Sequence, residues 1–385
     1  MSRERAPSWP LARRALRAVV VSLNLGLGPS ALAAAPSPLA SELANRCRAW
    51  ASDAHEPWSL AHGMALDGRD FRARDGRAAG DVIVSDFLRR AQVDGKDASQ
   101  ADLSFDTATP EGAPVEPHPT LLLKTLLRAG HPLSQRFQAG WGAPVTLQAL
   151  VDDLRRDFRP DQVATPDAAW TLDALSLVSR PGDTFRTRHG VEVRVDAVME
   201  AALATLEAAD AELAAGMKAG RPEVPKRGQG IYAHPCGGLH YVQAVTGWAR
   251  HPSIRSAWRK RLDAVRDVLL YRLDSEARQY ETALAAADRE QRARVLSQML
   301  KFYGHLLETL GRYRDDTGWR PTEPQRKVIE RARGYLANTV RRMDATGMFG
   351  APSTLAAEAP QRALDLVGDT CHAARGEASW STPRR

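Results

Sequence analysis

The 385-residue chain has few of the features that mark several common classes of protein. It contains only three cysteines, aromatic residues make up 6% of it, and its arginines are scattered rather than clustered with aromatic side chains. The last absence argues against a nucleic-acid-binding surface. Beyond the N-terminal 33 residues no stretch is apolar enough to cross a bilayer. Apolar and charged fractions of 43% and 26% are typical of an ordinary globular protein.

The N-terminus has the pattern of a secretory signal peptide. Three arginines precede an apolar run, AVVVSLNLGLGPSALAAA, which ends in small residues around an Ala31-x-Ala33 site. Polar and helix-breaking residues make this run a poor membrane span, and the alternative is an N-terminal helix or an uncleaved anchor. We therefore predict a signal peptide over residues 1–33 and an exported protein, periplasmic or extracellular. Removal of the signal peptide would lower the net charge of the chain from +7 to about +3.

Short apolar segments recur along the chain, and each begins near a proline or tryptophan and ends at a glycine. Proline favours the first turn of a helix and glycine its end, which predicts capped helices of about three turns. The segments are apolar on nearly all sides, as is typical of helices that are buried all round. The copies are PWSLAHGMALDG (57–68), PTLLLKTLLRAG (119–130), AWTLDALSLVSRPG (169–182), PCGGLHYVQAVTG (235–247) and the looser KFYGHLLETLG (301–311).

Other elements lie between the apolar segments. FRARDG (71–76) and FRTRHG (185–190) share a Phe-Arg-x-Arg-x-Gly pattern that predicts small β-hairpins. More polar helices with apolar positions at helical spacing follow, as in TLQALVDDLRRDF. This alternation predicts an all-α fold, an α/α toroid of about five inner and outer helix pairs with β-hairpin insertions, and a linear α-solenoid is the alternative. We place the toroid at 34–350 and expect a partly disordered C-terminal segment at 351–385.

The three cysteines of an exported protein leave one unpaired. Cys47 and Cys371 lie near the two ends of the mature chain, and Cys236 lies in the middle. A closed ring would bring the chain ends together, so we predict a disulfide between Cys47 and Cys371. Cys236 would then remain as a thiol.

Aligning the predicted inner helices on their starts places several side chains at one level. His62 stands five residues after Pro57, His240 stands five after Pro235, and His305 is the matching histidine of the fifth copy. In a toroid these positions would share one height and would face a central cavity. Tryptophans at such positions are more often wedges in the core than cavity walls. The further cavity candidates are Trp58, Trp170 and His234.

Cys236 and His240 are spaced i,i+4, which would put both side chains on one face of an inner helix. The helix dipole would favour a thiolate at the helix N-terminus. With a third ligand from another helix, either His62 or Asp173, the pair would form a catalytic zinc site with an open fourth position. His234 would serve as a partner behind the ligands. Two other interpretations stay open, a packed helix junction without chemistry and metal-free Cys/His catalysis.

The order of PWSLAH, HPTLLLKTLLRAGHPL, AWTLDALSLVS and CGGLH resembles an uncharacterised family of exported bacterial toroids in which a Cys-Gly-Gly-x-His helix recurs. The helix scheme is similar to that of terpenoid cyclases, prenyltransferase β subunits and lanthionine synthetase cyclases. The last two classes hold zinc with Cys and His ligands, which the resemblance maps onto Cys236 and His240, and onto Asp173 or His62 by position. Lanthionine cyclases use two cysteines, whereas this chain has one unclaimed cysteine, and the acidic motifs of terpenoid cyclases are not evident.

Two hypotheses for the function follow. The first is a zinc-dependent enzyme that acts in the central cavity with Cys236 and His240 as ligands. The second is a non-catalytic binding module of the cell envelope for a peptide, lipid or glycan. An α/α barrel acting on polysaccharide ranks below both, because no pair of carboxylates stands at matching repeat positions. We expect zinc but no nucleotide cofactor, a small molecule, peptide or glycan as ligand, and no nucleic-acid partner.

Overall fold

A computed structural model describes residues 37–91, 102–225, 228–350, 352, 355 and 359–381. These residues lie within one compact unit, Ala35–Arg385, and most of them are helical, so the predicted helical class is confirmed. Within the described part of the chain, none of the helices combines the length and the apolar character that crossing a bilayer requires. The predicted signal peptide at 1–33 lies outside the described residues.

The described elements are helices joined by short loops and small hairpins. The helices are α1 (Pro38–Ala51), α2 (Pro57–Asp67), α3 (Ala79–Phe87), α4 (Leu121–Arg128), α5 (Leu147–Asp157), α6 (Ala168–Val178), α7 (Val195–Lys218), α8 (Leu239–Gly247), α9 (Pro252–Ala257), α10 (Arg259–Ala286), α11 (Arg289–Thr317), α12 (Glu323–Ala345) and α13 (Pro360–Ser381). The antiparallel strand pairs are β1 (Leu88–Arg90) with β2 (Leu103–Phe105), β3 (Arg136–Gln138) with β4 (Pro144–Thr146), and β5 (Thr184–Arg186) with β6 (Glu192–Arg194).

Four tight turns share one geometry, and each precedes a helix. In each turn a glycine N–H donates to the carbonyl oxygen three residues before it. The φ angle of each glycine lies between 78° and 91°, a region that side chains with a Cβ avoid. The hairpin predicted at 185–190 is confirmed by β5 and β6, whereas the segment at 71–76 closes with a single bridge between Arg72 and Ala78. The four turn glycines are Gly76, Gly112, Gly142 and Gly190.

Six helices pack in a closed succession. Helix α2 packs on α4, α4 on α6, α6 on α8, α8 on α11, α11 on α13, and α13 packs back on α2. The other long helices lie against this set: α1 contacts α2 and α13, α3 contacts α2, α7 contacts α8, and α10 and α12 contact α11. Most residues of α2, α6 and α8 are buried, which accounts for the apolar repeats that mark them in the sequence.

Helices α11 and α13 touch through their main chains. A Cβ on Gly304 would lie 2.8 Å from the backbone nitrogen of Ala373, and a Cβ on Gly376 would lie 2.6 Å from the carbonyl oxygen of Gly304. Both distances are shorter than any normal contact, so only glycine allows this approach. The spacing between the two helices is therefore set by backbone atoms rather than by side-chain packing.

Part of the C-terminal segment, 351–385, forms a helix that the sequence analysis did not assign. Residues Pro360–Ser381 form α13, and much of this helix is buried. Its end is fixed by Trp380, whose indole N–H donates to the carbonyl oxygen of Leu307 at 2.9 Å. A disulfide joins Cys371 of this helix to Cys47 of α1, 324 residues away in the chain. The glycine- and serine-containing sequence of this segment is held in a helix by tertiary contacts rather than by intrinsic propensity.

Candidate metal centre

A cavity of about 260 Å³ lies among the six helices of the closed succession, each of which contributes side chains to its wall. Six of the ten histidines of the chain line it, although they come from widely separated parts of the sequence. Such a concentration of imidazoles in one buried space is the main chemical feature of the molecule. The six are His62, His118, His234, His240, His305 and His372.

Three of these histidines form a compact group, here called the three-histidine cluster: His240 of α8, His305 of α11 and His372 of α13. One ring nitrogen from each lies within 4.8 Å of those of the other two. The ring centroids of His305 and His372 are 3.6 Å apart, and His240 lies 5.0 Å and 5.1 Å from them. This spacing allows all three nitrogens to approach a single ion.

The hydrogen bonds of Nδ1 determine which nitrogens face the interior of the cluster. Nδ1 of His305 lies 2.8 Å from the carbonyl oxygen of Lys301, which can only accept, so Nδ1 carries the hydrogen. Nδ1 of His372 lies 2.5 Å from a carboxylate oxygen of Glu308, to which it can donate, and 2.8 Å from Nη2 of Arg375, which can only donate. Nε2 of His305 therefore keeps a free lone pair, and Nε2 of His372 keeps one when Nδ1 donates to Glu308. Histidine ligands of metals have this arrangement, in which the second nitrogen donates to a carbonyl or carboxylate.

The carboxylate behind His372 is held in its ionised form. Burial alone would raise the pKa of Glu308, but the charge and hydrogen bonds of Arg375 lower it to about 2. The guanidinium Nε of Arg375 donates to the second oxygen of Glu308 at 2.8 Å. Glu308 is thus a permanent acceptor that fixes the ring of His372.

The imidazoles of the cluster are neutral near pH 7. Burial lowers the pKa of His305 to about 3, and burial together with neighbouring positive charges lowers the pKa values of His240 and His372 well below the ordinary value. Neutral imidazole is the form that binds metal ions, so no proton has to be displaced before an ion enters.

Cys236 and His240 do not lie on one helix face, which corrects the sequence prediction. Gly237 and Gly238 have φ angles of 63° and 74°, so the chain is still turning at these residues and α8 begins only at Leu239. Cys236 lies in the preceding turn and lines the cavity. Its nearest chemical partner is His234, whose Nδ1 is 3.0 Å from the sulfur and also accepts a hydrogen bond from the backbone N–H of Cys236 at 3.2 Å.

The Cys236–His234 pair has the electrostatics of a thiolate next to an imidazolium. Burial raises the pKa of Cys236, but the hydrogen bond and charge of His234, together with the N–H groups of His240 and Leu239, outweigh burial and lower it. Burial lowers the pKa of His234, and the thiol outweighs that effect and raises it. The two opposite shifts favour transfer of the proton from sulfur to nitrogen.

Asp173 has a different place from the one predicted. It does not line the cavity, and its carboxylate is bound by Arg128 and Arg312. Nη2 of Arg312 lies 2.9 Å and 3.1 Å from the two carboxylate oxygens. Burial would raise the pKa of Asp173, but the two guanidinium groups hold it well below its usual range. Asp173 is therefore the centre of an internal ion pair network.

The remaining predicted residues line the cavity beside the three-histidine cluster. The ring of Trp170 stacks on His118 with centroids 3.9 Å apart and lies 4.9 Å from His240. Trp58 lies 4.2 Å from the ring of His62, and His62 lies 5.2 Å from His372. The tryptophans thus form part of the cavity wall rather than only wedges in the core.

Sequence reasoning missed several residues of this cavity as candidates for chemistry, among them His372, His118 and Lys124. His372 lies in the segment predicted to be partly disordered. Its neighbour Cys371 was a signal, because a disulfide to Cys47 requires that this segment be ordered. Lys124 stands at the position that matches His62 and was identifiable from the repeat.

Comparisons with known proteins add no further constraint. Neither a protein-family model, nor a curated protein, nor a solved structure matches the chain. The function proposed below is therefore supported by the side chains of the cavity and by their contacts.

Proposed function

We propose that the protein is an exported α/α-toroid enzyme in which His240, His305 and His372 hold a zinc ion at the central cavity. The export proposal is supported by the signal-peptide pattern at 1–33 and by a disulfide, which is typical of oxidising compartments. Zinc is the natural choice for three imidazole ligands with one open position.

The toroid is supported by the closed succession of contacts among α2, α4, α6, α8, α11 and α13. These would be the inner helices, and α1, α3, α5, α7, α10 and α12 would form the outer layer. The proposal thus has six inner helices rather than about five pairs, because α13 takes a place that the sequence did not assign. A cavity lined by every inner helix is the place where such a fold offers a site.

The observation that carries the metal proposal is the convergence of three neutral imidazoles within 4.8 Å. Nδ1 of His305 donates to a fixed carbonyl oxygen, and Nδ1 of His372 lies beside the carboxylate of Glu308, so both rings can offer the lone pair of Nε2 to the same ion. Converging lone pairs repel one another unless a cation or a donor lies between them. A divalent ion removes this repulsion and gains three ligands that folding has already oriented.

Such an ion would supply Lewis acidity, either by polarising a substrate carbonyl or phosphoryl oxygen or by activating water. The chain itself would position the substrate. Trp58 and Trp170 provide flat apolar walls, and Cys236 with His234 provides a nucleophile and a proton donor on the same cavity. The proposal is therefore a hydrolytic or group-transfer enzyme whose reaction takes place inside the toroid.

Removing one ligand of the cluster should abolish stoichiometric zinc. We expect about one zinc per wild-type chain and more than about a hundredfold weaker binding in His305→Ala and His372→Ala, because losing even a hydrogen-bonding partner behind a ligand costs about 10- to 100-fold. The measurement is elemental analysis of the dialysed protein, with zinc affinity from competition with a chelator.

The matched control is His62→Ala. His62 lines the same cavity, and its Nδ1 also bonds a carbonyl oxygen four residues back, at 2.8 Å from Trp58, yet it is not part of the three-histidine cluster. We expect His62→Ala and Cys236→Ala to retain zinc. Zinc lost from these two variants but kept by His372→Ala would contradict the cluster and would favour the ligand set predicted from sequence. A metal-free wild-type protein that takes up no added zinc would rule out the metal proposal altogether.

A second candidate function is thiol-dependent catalysis without a metal, and one observation favours it. Cys236 is buried at 5% exposure, lines the cavity and has the sulfur 3.0 Å from Nδ1 of His234. A thiolate beside an imidazolium is the usual form of an activated cysteine nucleophile. Because the other two cysteines form the disulfide, Cys236 is the single thiol that can be titrated.

The thiol should react faster at mildly acidic pH than an ordinary cysteine does. We expect His234→Ala to slow alkylation of Cys236 by iodoacetamide at pH 6 by on the order of tenfold, since each pKa unit changes the thiolate fraction by about that factor. The folded pKa lies below its ordinary value, so the thiolate of the wild type persists as pH falls, whereas that of the variant is lost. The rate is followed by mass spectrometry from pH 5 to 9.

His118→Ala is the control for this experiment. Its ring lies 4.7 Å from that of His234, but it has no contact with the sulfur. This variant should alter the packing near Cys236 and His234 but leave the pH dependence of the alkylation rate unchanged. Equal alkylation rates for wild type and His234→Ala across the whole pH range would refute the thiolate–imidazolium pair.

A further inference from the structure

The cavity contains a cation that has no anionic partner of its own. Lys124 of α4 lines the cavity, and among the described residues no carboxylate oxygen lies within 4.0 Å of its ammonium group and no side-chain hydrogen bond reaches it. The acid whose charge acts on Lys124, Asp173, is already bound by Arg128 and Arg312. Burial lowers the pKa of Lys124 to about 8, which still leaves it protonated at pH 7.

The other two cations on the cavity wall are neutralised. The ammonium group of Lys301 lies 3.3 Å from Asp365 and 3.8 Å from Asp369, and Arg375 is paired with Glu308 at 2.8 Å. Lys124 thus differs from its neighbours in having its charge directed at the open space without a counterion. An uncompensated charge in a buried site is costly, so such a group is found where a ligand completes the pairing.

Lys124 also lies within electrostatic range of the three-histidine cluster. Burial is the main cause of the low pKa values of His240 and His372, and the positive charge of Lys124 lowers both further. In the repeat, Lys124 occupies the position that matches His62 and His240, so it faces the cavity at the same level. A divalent ion on the cluster would add two more positive charges to this space.

We infer that the substrate carries an oxyanion, a carboxylate or a phosphate group, which pairs with Lys124 while the reacting part of the molecule reaches the metal. The contact between the reacting group and the metal rests on the proposed metal site, whereas the contact between the oxyanion and Lys124 does not. An ammonium group is a compact point charge that binds either oxyanion with up to three hydrogen bonds. A volume of about 260 Å³ lies just below the usual range for drug-sized ligands, about 300–1,000 Å³, so the anion belongs to a small molecule or to the end of a larger one.

The test is isothermal titration of inorganic phosphate and of acetate into the zinc-loaded wild-type protein and into Lys124→Met and Lys124→Arg. We expect at least one anion to bind the wild type, on the order of 10- to 100-fold weaker binding to Lys124→Met, and recovery to within about threefold in Lys124→Arg, because only the arginine replaces the lost charge-assisted hydrogen bond. The anion whose affinity falls more in Lys124→Met identifies the substrate class. Zinc is measured in every sample.

Lys301→Met is the matched control, because it removes a cavity cation that already has carboxylate partners. It removes a cavity cation of equal charge, and we expect it to weaken anion binding less than Lys124→Met does, because only Lys124 lacks a carboxylate partner. The inference is overturned if Lys124→Met binds both anions as tightly as the wild type, or if neither anion binds the wild type. Should the wild type hold no zinc, the metal proposal fails, and the same titration of the metal-free protein then decides the role of Lys124 alone by the same two criteria.

Discussion

Replacing Asp173 by alanine should lower the free energy of unfolding by about 3–5 kcal/mol, because removing one partner of a buried ion pair leaves the opposite charge uncompensated. The carboxylate is only 3% exposed, and its loss would leave Arg128 and Arg312 facing each other inside the protein. We expect the folded variant to keep its zinc, since Asp173 does not line the cavity. Urea unfolding gives the stability, and elemental analysis of the folded fraction gives the metal content.

The pH dependence of this effect has a definite sign. Because the arginines hold the folded pKa of Asp173 well below its ordinary value, its stabilisation is present above about pH 4, the unfolded value, and is lost as the pH falls. The difference between wild type and Asp173→Ala should therefore shrink in acid.

An exposed ion pair supplies the control for Asp173. Asp161 lies 3.4 Å from Arg159 with 68% of its side chain exposed, so Asp161→Ala should change stability by less than about 1 kcal/mol. Asp173→Asn keeps the shape of the side chain and should be destabilised through loss of charge alone. Loss of zinc at unchanged stability in either Asp173 variant would show that Asp173 is a ligand after all.

Removing the disulfide should have an effect of similar size. We expect the double variant Cys47→Ser, Cys371→Ser to lose about 2–5 kcal/mol of stability, the range for native disulfides, because the bond restricts a very long loop of the unfolded chain. Helix α1 packs mainly on α13 and α2, so it would lose its covalent attachment to them. Since His372 follows Cys371 directly, zinc affinity should fall as well.

Cys236→Ser is the control, since it alters a cysteine that takes no part in the disulfide. Its free energy of unfolding should stay within about 1 kcal/mol of the wild-type value under oxidising conditions, because serine is a small polar replacement for the thiol. A non-reducing peptide map should link the peptides that contain Cys47 and Cys371. Finding both as free thiols in protein produced in an oxidising compartment would contradict the bond.

The helical class and the buried helices α2, α6 and α8 could be predicted because their signals are local. Proline at the start and glycine after the end define α2, and the apolar character of α6 and α8 reflects burial on most sides. The start of α8 was wrong because Gly237 and Gly238 adopt left-handed φ angles, which composition alone does not reveal. Helix α13 was missed because its helicity depends on contacts with α11 rather than on its own sequence.

Some of the cavity residues could be predicted, but which side chains contact one another could not. Aligning the repeats gives the level at which a side chain stands in each helix, so His62, His240 and His305 were found. The alignment does not give the distances between helices, and these decide which histidines meet. The partners of Asp173 also escaped notice, because Arg128 and Arg312 stand 45 and 139 residues away in the chain.

The main-chain contact between α11 and α13 has a thermodynamic consequence for the metal. Gly304 directly precedes His305, and Gly376 lies one turn after His372, so two of the three proposed ligands inherit their spacing from touching backbones. The conformational entropy that a loose site loses when it closes around an ion has here been lost already during folding. The site is thus preorganised, and the size and preferred geometry of an ion decide whether it fits, because the helices have no freedom to adjust to it.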